Sequence, residues 1–172
     1  MRSFVLWFCL LPLAAFGQQQ GFDCNNSAPH RQFDFWLGEW AVHNGAGELG
    51  GHNRITAVQQ GCVLEEQWRS VRGGTGQSLN YYDPGGGQWR QLWLDAGASI
   101  IDIRGGLEDG SMVLEGSIYY LASGSQKPFR GTWTPLADGR VRQFFQEQDD
   151  DGNWQTWFEG FYTRRGQDDD GN

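Results

Sequence analysis

From residue 39 to residue 164 the chain runs in short apolar and aromatic stretches of period two, broken by glycine-rich turns. Period-two alternation puts successive side chains on opposite faces of a strand. It predicts about ten strands: 39–46, 52–60, 62–72, 77–83, 88–95, 98–104, 111–121, 128–136, 139–148 and 153–164. No segment holds a 3.6-residue apolar period for more than two turns. The one helical candidate is 29–38, where Pro29 opens a turn and Phe33, Trp36 and Leu37 recur at i, i+3 and i+4 before Gly38.

The turns carry their own chemistry. Asp83-Pro84-Gly85 with two further glycines is a sharp reversal, and Asp109-Gly110, Asp138-Gly139 and Asp151-Gly152 are hairpin signals. Such short connections make antiparallel neighbours. An all-β chain of ten antiparallel strands forms a sandwich or a closed barrel, and closure removes the unpaired edges. The expectation is one closed antiparallel barrel over 29–165, with a short N-terminal helix or turn capping one end.

The faces are not cleanly apolar. One face of the third strand reads Cys62, Leu64, Glu66, Trp68, Ser70, and one face of the fifth reads Trp89, Gln91, Trp93, Asp95. In the last strand Trp154, Thr156, Phe158, Gly160 and Tyr162 oppose Gln155, Trp157, Glu159, Phe161 and Thr163. Tyr119-Tyr120 and Phe144-Phe145 are adjacent pairs that must send one ring to each face. Either the barrel holds a wet, mixed cavity, or outward rings pack against an arm, a loop or a second subunit.

Composition narrows the classes. At 172 residues there is room for one domain with a real core. Twenty-six glycines without a period fit many tight turns. The net charge of −8, with lysine almost absent, argues against a nucleic-acid or anionic-membrane partner. The opening MRSFVLWFCLLPLAAFG has one arginine, an apolar run and small residues before Gln18. It reads as a signal peptide over 1–17, which implies a secreted or periplasmic protein with no membrane segment after cleavage. An arm over 18–28 and an acidic tail over 166–172 flank the barrel. Cleavage leaves Cys24 and Cys62, an even pair that invites a disulfide in an oxidising compartment; two separate thiols are the alternative. Asn25-Asn26-Ser27 matches a glycosylation acceptor.

Several stretches together carry a resemblance: DFWLGEW (34–40), CVLEEQW (62–68), SLNYYDP (78–84), WRQLWLD (89–95), GTWTPLADGRVRQFFQEQ (131–148) and TWFEGFYTRR (156–165). As a set they resemble the bacterial family catalogued as domain of unknown function 1579. That resemblance implies a lipocalin-like or calycin-like barrel, often exported, with no established activity. The opening aromatic segment is also distantly similar to the haem-binding nitrobindins, in which a late histidine ligates iron. Here the histidines are His30, His43 and His52, all early, so no haem, other cofactor or metal is expected.

The residues leave three classes of function open. A barrel lumen lined by Glu66, Trp68, Tyr81, Trp93, Asp95, Tyr119, Trp133 and Phe145 would bind a small hydrophobic or aromatic molecule. Glu66 and Asp95 beside the indoles could instead run acid–base chemistry. Pairing of those acids with Arg90, Arg130, Arg140 or Arg142 is the structural reading of the same residues. Outward aromatic residues could form a homodimer face. No catalytic residue is assigned. There is no GxSxG elbow, and Ser70 and Ser78 read as ordinary strand residues. The acidic turn at 149–152 holds only fragments of a calcium loop and reads as a solvated turn. Phe33, Trp36 and Leu37 are expected to plug one barrel end, with Asp34 holding an arginine or capping the turn and Trp40 opening the inward face.

Overall fold

A computed structural model describes residues 22–166; the expected signal peptide and most of the acidic tail lie outside them. The strands are β1 (Gly38–His43), β2 (Leu49–Val58), β3 (Val63–Ser70), β4 (Thr75–Asp83), β5 (Gln88–Asp95), β6 (Ser99–Glu108), β7 (Ser111–Tyr120), β8 (Ser125–Pro135), β9 (Val141–Gln148) and β10 (Trp154–Arg164). Each pairs antiparallel with the next, and β10 returns to β1 through Trp40↔Arg164 and Val42↔Tyr162. The result is a closed ten-stranded barrel of the lipocalin-like or calycin-like type.

The observed strands lie close to the expected ones, and the differences trace to glycine. Gly50, Gly51, Gly105 and Gly106 belong to strands rather than turns, so β2 starts earlier and β6 runs longer than alternation suggested. At Gly105 and Gly116 the backbone of the neighbouring strand comes too close for any Cβ.

The stretch 29–38 is not one helix. It holds 3-10 turns at Ala28–Arg31 and Asp34–Trp36, after another at Cys24–Asn26. In a 3-10 turn residues i and i+3 eclipse. That places Phe33 and Trp36 against each other, stacked at 4.9 Å. Both are fully buried, Leu37 packs against the core, and Trp40 points inward from β1. Phe33 meets Trp89 and Trp133 edge-on, and Trp36 also packs on Trp133. Asp34 pairs with Arg31. This aromatic plug closes the end where β1 begins and β10 finishes.

The disulfide pairs Cys24 with Cys62 and ties the arm to the β2–β3 turn, with Cα atoms 5.0 Å apart. That turn carries three consecutive residues of positive φ, Gln59, Gln60 and Gly61. The Asn25 amide donates to the Gln60 carbonyl at 3.0 Å and to Asp23. The asparagine of the glycosylation motif is therefore engaged in fixing the turn. Among the described residues no helix is long and apolar enough to cross a membrane.

Candidate functional site

The end opposite the plug is open. The turns 44–48, 71–74 and 96–98 surround a cavity of about 430 Å³ that enters the barrel between them. Its walls carry Trp68, Trp93, Phe145, Trp157 and Phe158, and Glu66 lines its deep end with Gln143 and Tyr162.

The walls stay thin for a local reason. Inward glycines on neighbouring strands let the rings lie flat. A Cβ at Gly51 would collide with Trp68, one at Gly76 with Trp93, and one at Gly131 with Phe145. With any larger residue at these positions the rings would be driven into the lumen. The Trp93 indole also donates to Asp95 Oδ2 at 3.2 Å, which fixes its tilt, and the Ser99 hydroxyl and backbone amide hold that carboxylate in turn.

Below the rings runs a belt of buried polar side chains. Gln91 Nε2 donates to Asn80 Oδ1 at 2.8 Å, and Asn80 Nδ2 to Ser78 Oγ at 2.8 Å. Ser78 Oγ donates to Glu66 Oε2 at 2.6 Å. From the other side Asn53 Nδ2 donates to Glu66 Oε1 at 2.7 Å and to the Tyr162 hydroxyl at 3.1 Å. Tyr162 in turn donates to Gln143 Oε1. These groups come from β2, β3, β4, β5, β9 and β10, so the belt exists only once the barrel is closed. Burying one unpartnered polar group is costly, which favours connecting such groups to each other.

Glu66 is the centre of that belt. It is 2 % exposed. Burial pushes its carboxyl up to about 7, against the hydrogen bonds from Ser78 and Asn53, which favour the charged form. Tyr162 is held well above the ordinary phenol value, by burial and then by the neighbouring Glu66 charge. No arginine or lysine pairs with Glu66 among the described residues. Arg90 engages Asp102, Arg142 engages Glu159, and Arg140 engages Asp138. Arg130 donates to Gln146 and lies over Trp154. The expected arginine pairing is thus replaced by neutral amides and hydroxyls, because these arginines come from the outward faces of their strands or, for Arg140, from a turn.

Of the eight residues expected to line a lumen, the structure brings Glu66, Trp68, Trp93, Asp95 and Phe145 together. Trp133 is inward but fully buried in the plug below. Tyr81 and Tyr119 face outward, which corrects the expectation for both. Their neighbours Tyr82 and Tyr120 occupy the inward positions and pack against the core. Tyr81 lies instead against an outer groove beside Cys62 and Tyr82. Tyr119 adjoins an exposed apolar stripe in which Leu79 pairs with Leu92 and Leu94 with Ile100.

Sequence reading put Gln91 on the face of Trp93 without assigning it to the site, and missed Asn53, Ser78, Asn80 and Gln143 as interior groups. The available signal was parity: Ser78 and Asn80 alternate in step with Tyr82, and Asn53 with Ile55. Phe158 and Trp157 both reach the cavity because a register shift between Thr156 and Phe158 breaks strict alternation in β10.

His30, His43 and His52 do not line the cavity, and both described cysteines are in the disulfide. Asp149 uses its carboxylate to accept from Asp151 N, Asn153 N and Gln155, so it closes its own turn.

Fold and site together define a lipocalin-like barrel, plugged at one end, with an aromatic cavity open at the other. Compared with models of known protein families and with curated proteins, the chain matches none.

Proposed function

We propose that this protein is exported and that its barrel binds a small hydrophobic or aromatic molecule. The observation that carries this reading is the open cavity of about 430 Å³ walled by Trp68, Trp93, Phe145, Trp157 and Phe158. A volume in this range suits a small ligand, and apolar walls with a few fixed polar groups are the usual composition of such sites. Export is supported by the leader-like start of the sequence and by the Cys24–Cys62 disulfide, which suits an oxidising compartment. Kinship with the family of domain of unknown function 1579 is part of the same proposal and rests on the motifs quoted above.

Native mass spectrometry of protein purified from its own host tests the binding reading. A retained small-molecule mass, displaced by an aromatic competitor, is the expected result. Protein that stays empty under mild conditions and quenches none of its tryptophan fluorescence with aromatic probes would overturn it.

One observation favours a second reading, acid–base chemistry at Glu66. A carboxyl pushed up to about 7 exchanges protons readily near neutral pH. Turnover of a bound molecule, lost in Glu66→Gln, would establish that reading over simple binding.

A further inference from the structure

The ligand's polar end is readable from what the interior lacks. Glu66 accepts two hydrogen bonds and has no cationic partner among the described residues. A carboxylate offers about four acceptor sites, so capacity remains. Asn53 Oδ1 and Gln91 Oε1 are buried acceptors with no donor. Both residues are nearly inaccessible, at 3 % and 1 % exposure. The polar belt is therefore rich in acceptors and short of donors. The walls above it are aromatic faces, which attract cations.

Charge at the open end of the barrel follows the same sense. The open-end turns carry Glu48, Asp149, Asp150 and Asp151 against Arg72, and Asp95 stands at the mouth. An acidic mouth raises the local concentration of cations.

We infer that the cavity selects an organic cation, an aromatic or flat apolar body bearing a protonated amine, with the ammonium directed to Glu66 and the body held between Trp68, Trp93 and Phe158. This rests on the binding reading above and specifies its ligand class. An ammonium supplies a donor to the spare acceptor sites of Glu66, which lines the cavity, and the missing counter-charge at once. A neutral ligand supplies no charge, and an anion would meet the buried carboxylate. Burying two opposite charges has a desolvation cost. Here the carboxyl is already desolvated by the fold, so the cation carries the larger share of what remains.

Binding of an ammonium favours the ionised carboxyl and releases a proton. Affinity for an amine therefore rises with pH as Glu66 ionises, through about 7. The other titratable groups around it are Tyr162 from β10, held well above its ordinary value, and Asp95 at the mouth end of β5. Glu48 and Arg72 stand at the rim, and Glu147 on β9 is engaged by Tyr120 and Lys127.

The test uses three probes of similar size on the full barrel: 2-phenylethylamine, 2-phenylethanol and 3-phenylpropanoate. Affinities are read by calorimetry and tryptophan quenching. The expected result is that the amine binds ~10-fold more tightly than the alcohol at neutral pH, the low end of the scale for a charge-assisted hydrogen bond, with the anion weakest. The amine stays protonated between about pH 5 and about pH 8.5, as an alkylamine does. Over that range its advantage should grow with pH while the alcohol's affinity stays level. Glu66→Gln should reduce the advantage to less than about threefold, a loss of roughly 0.7 kcal/mol or more in discrimination. The pH series on the unaltered protein keeps the test decisive if that variant folds poorly. Equal binding of amine and alcohol overturns the cation inference and leaves the cavity reading standing, as does tightest binding of the anion. Failure of all three probes to bind overturns both.

Discussion

Gly76 on β4 lies beneath the indole of Trp93 on β5, so close that a Cβ at position 76 would collide with the ring. The pair explains how a barrel rich in tryptophan keeps an open lumen. The ring is spread along the wall because the neighbouring strand offers no side chain there. Trp68 over Gly51 and Phe145 over Gly131 repeat the device around the mouth.

Gly76→Ala should therefore drive Trp93 into the cavity. The expected cost is about 1–3 kcal/mol, the usual scale of overpacking. Aromatic probe binding should fall with it, and tryptophan emission should shift. Gly106→Ala is the matched control, since nothing lies within 4 Å of a Cβ there. Equal effects of the two substitutions on probe binding would show that the flat indole does not keep the cavity open.

Glu66 should make stability depend on pH in an unusual sense for a carboxylate. Its value in the folded barrel is about 7, above the ordinary 4.5. The folded state keeps a proton that the unfolded chain releases between those values, so the stabilisation is fully present below about pH 4.5 and is lost as pH rises through about 7. The difference corresponds to about 3 kcal/mol. Glu66→Gln removes this dependence. Urea midpoints should show the variant gaining on the wild type as pH goes from about 5 to about 8, because the neutral amide has no ionisation to oppose. Parallel midpoints across that range would contradict a buried, proton-holding Glu66.

Reduction of Cys24–Cys62, or Cys24→Ser, should lower stability by about 4 kcal/mol, the scale for a loop of this length. The barrel should persist, because neither cysteine takes part in a strand pairing. Far-UV circular dichroism with thermal melting under reducing conditions checks both points. An unchanged melting temperature would mean that the Asn25–Gln60 contact alone holds the arm.

Trp36→Ala should cost about 3–5 kcal/mol, as for deletion of a buried aromatic ring. It removes the stack on Phe33 and the contact with Trp133. Near-UV circular dichroism should lose intensity together with stability. Trp157→Ala, at the mouth and 37 % exposed, should cost less while weakening probe binding more. The reverse order would place the ligand-facing surface at the plug.

Much of this was legible from residue order. Period two identified Glu66 and Trp68 as sharing a face, and Trp93 with Asp95, and the Asp-Gly hairpins implied closure of antiparallel neighbours. Tyr81 and Tyr119 were placed on the wrong side because each belongs to a pair of adjacent tyrosines. Within such a pair, the alternation of the whole strand decides which ring turns in. For β7 the decision follows Met112, Leu114 and Ile118, which put Tyr120 inside.

Local sequence by itself determined the strands, the turns, the aromatic capping segment and the parity of Trp68 and Trp93. These depend on near neighbours, on backbone preference and on side-chain direction. The tertiary structure alone decided that Glu66 has amides and hydroxyls as neighbours and no arginine, and that the indoles lie over glycines. Those contacts join residues from six strands, and no local pattern records which inward side chain of one strand meets which of the next. That choice is made by closure of β10 onto β1, which fixes every register around the barrel at once.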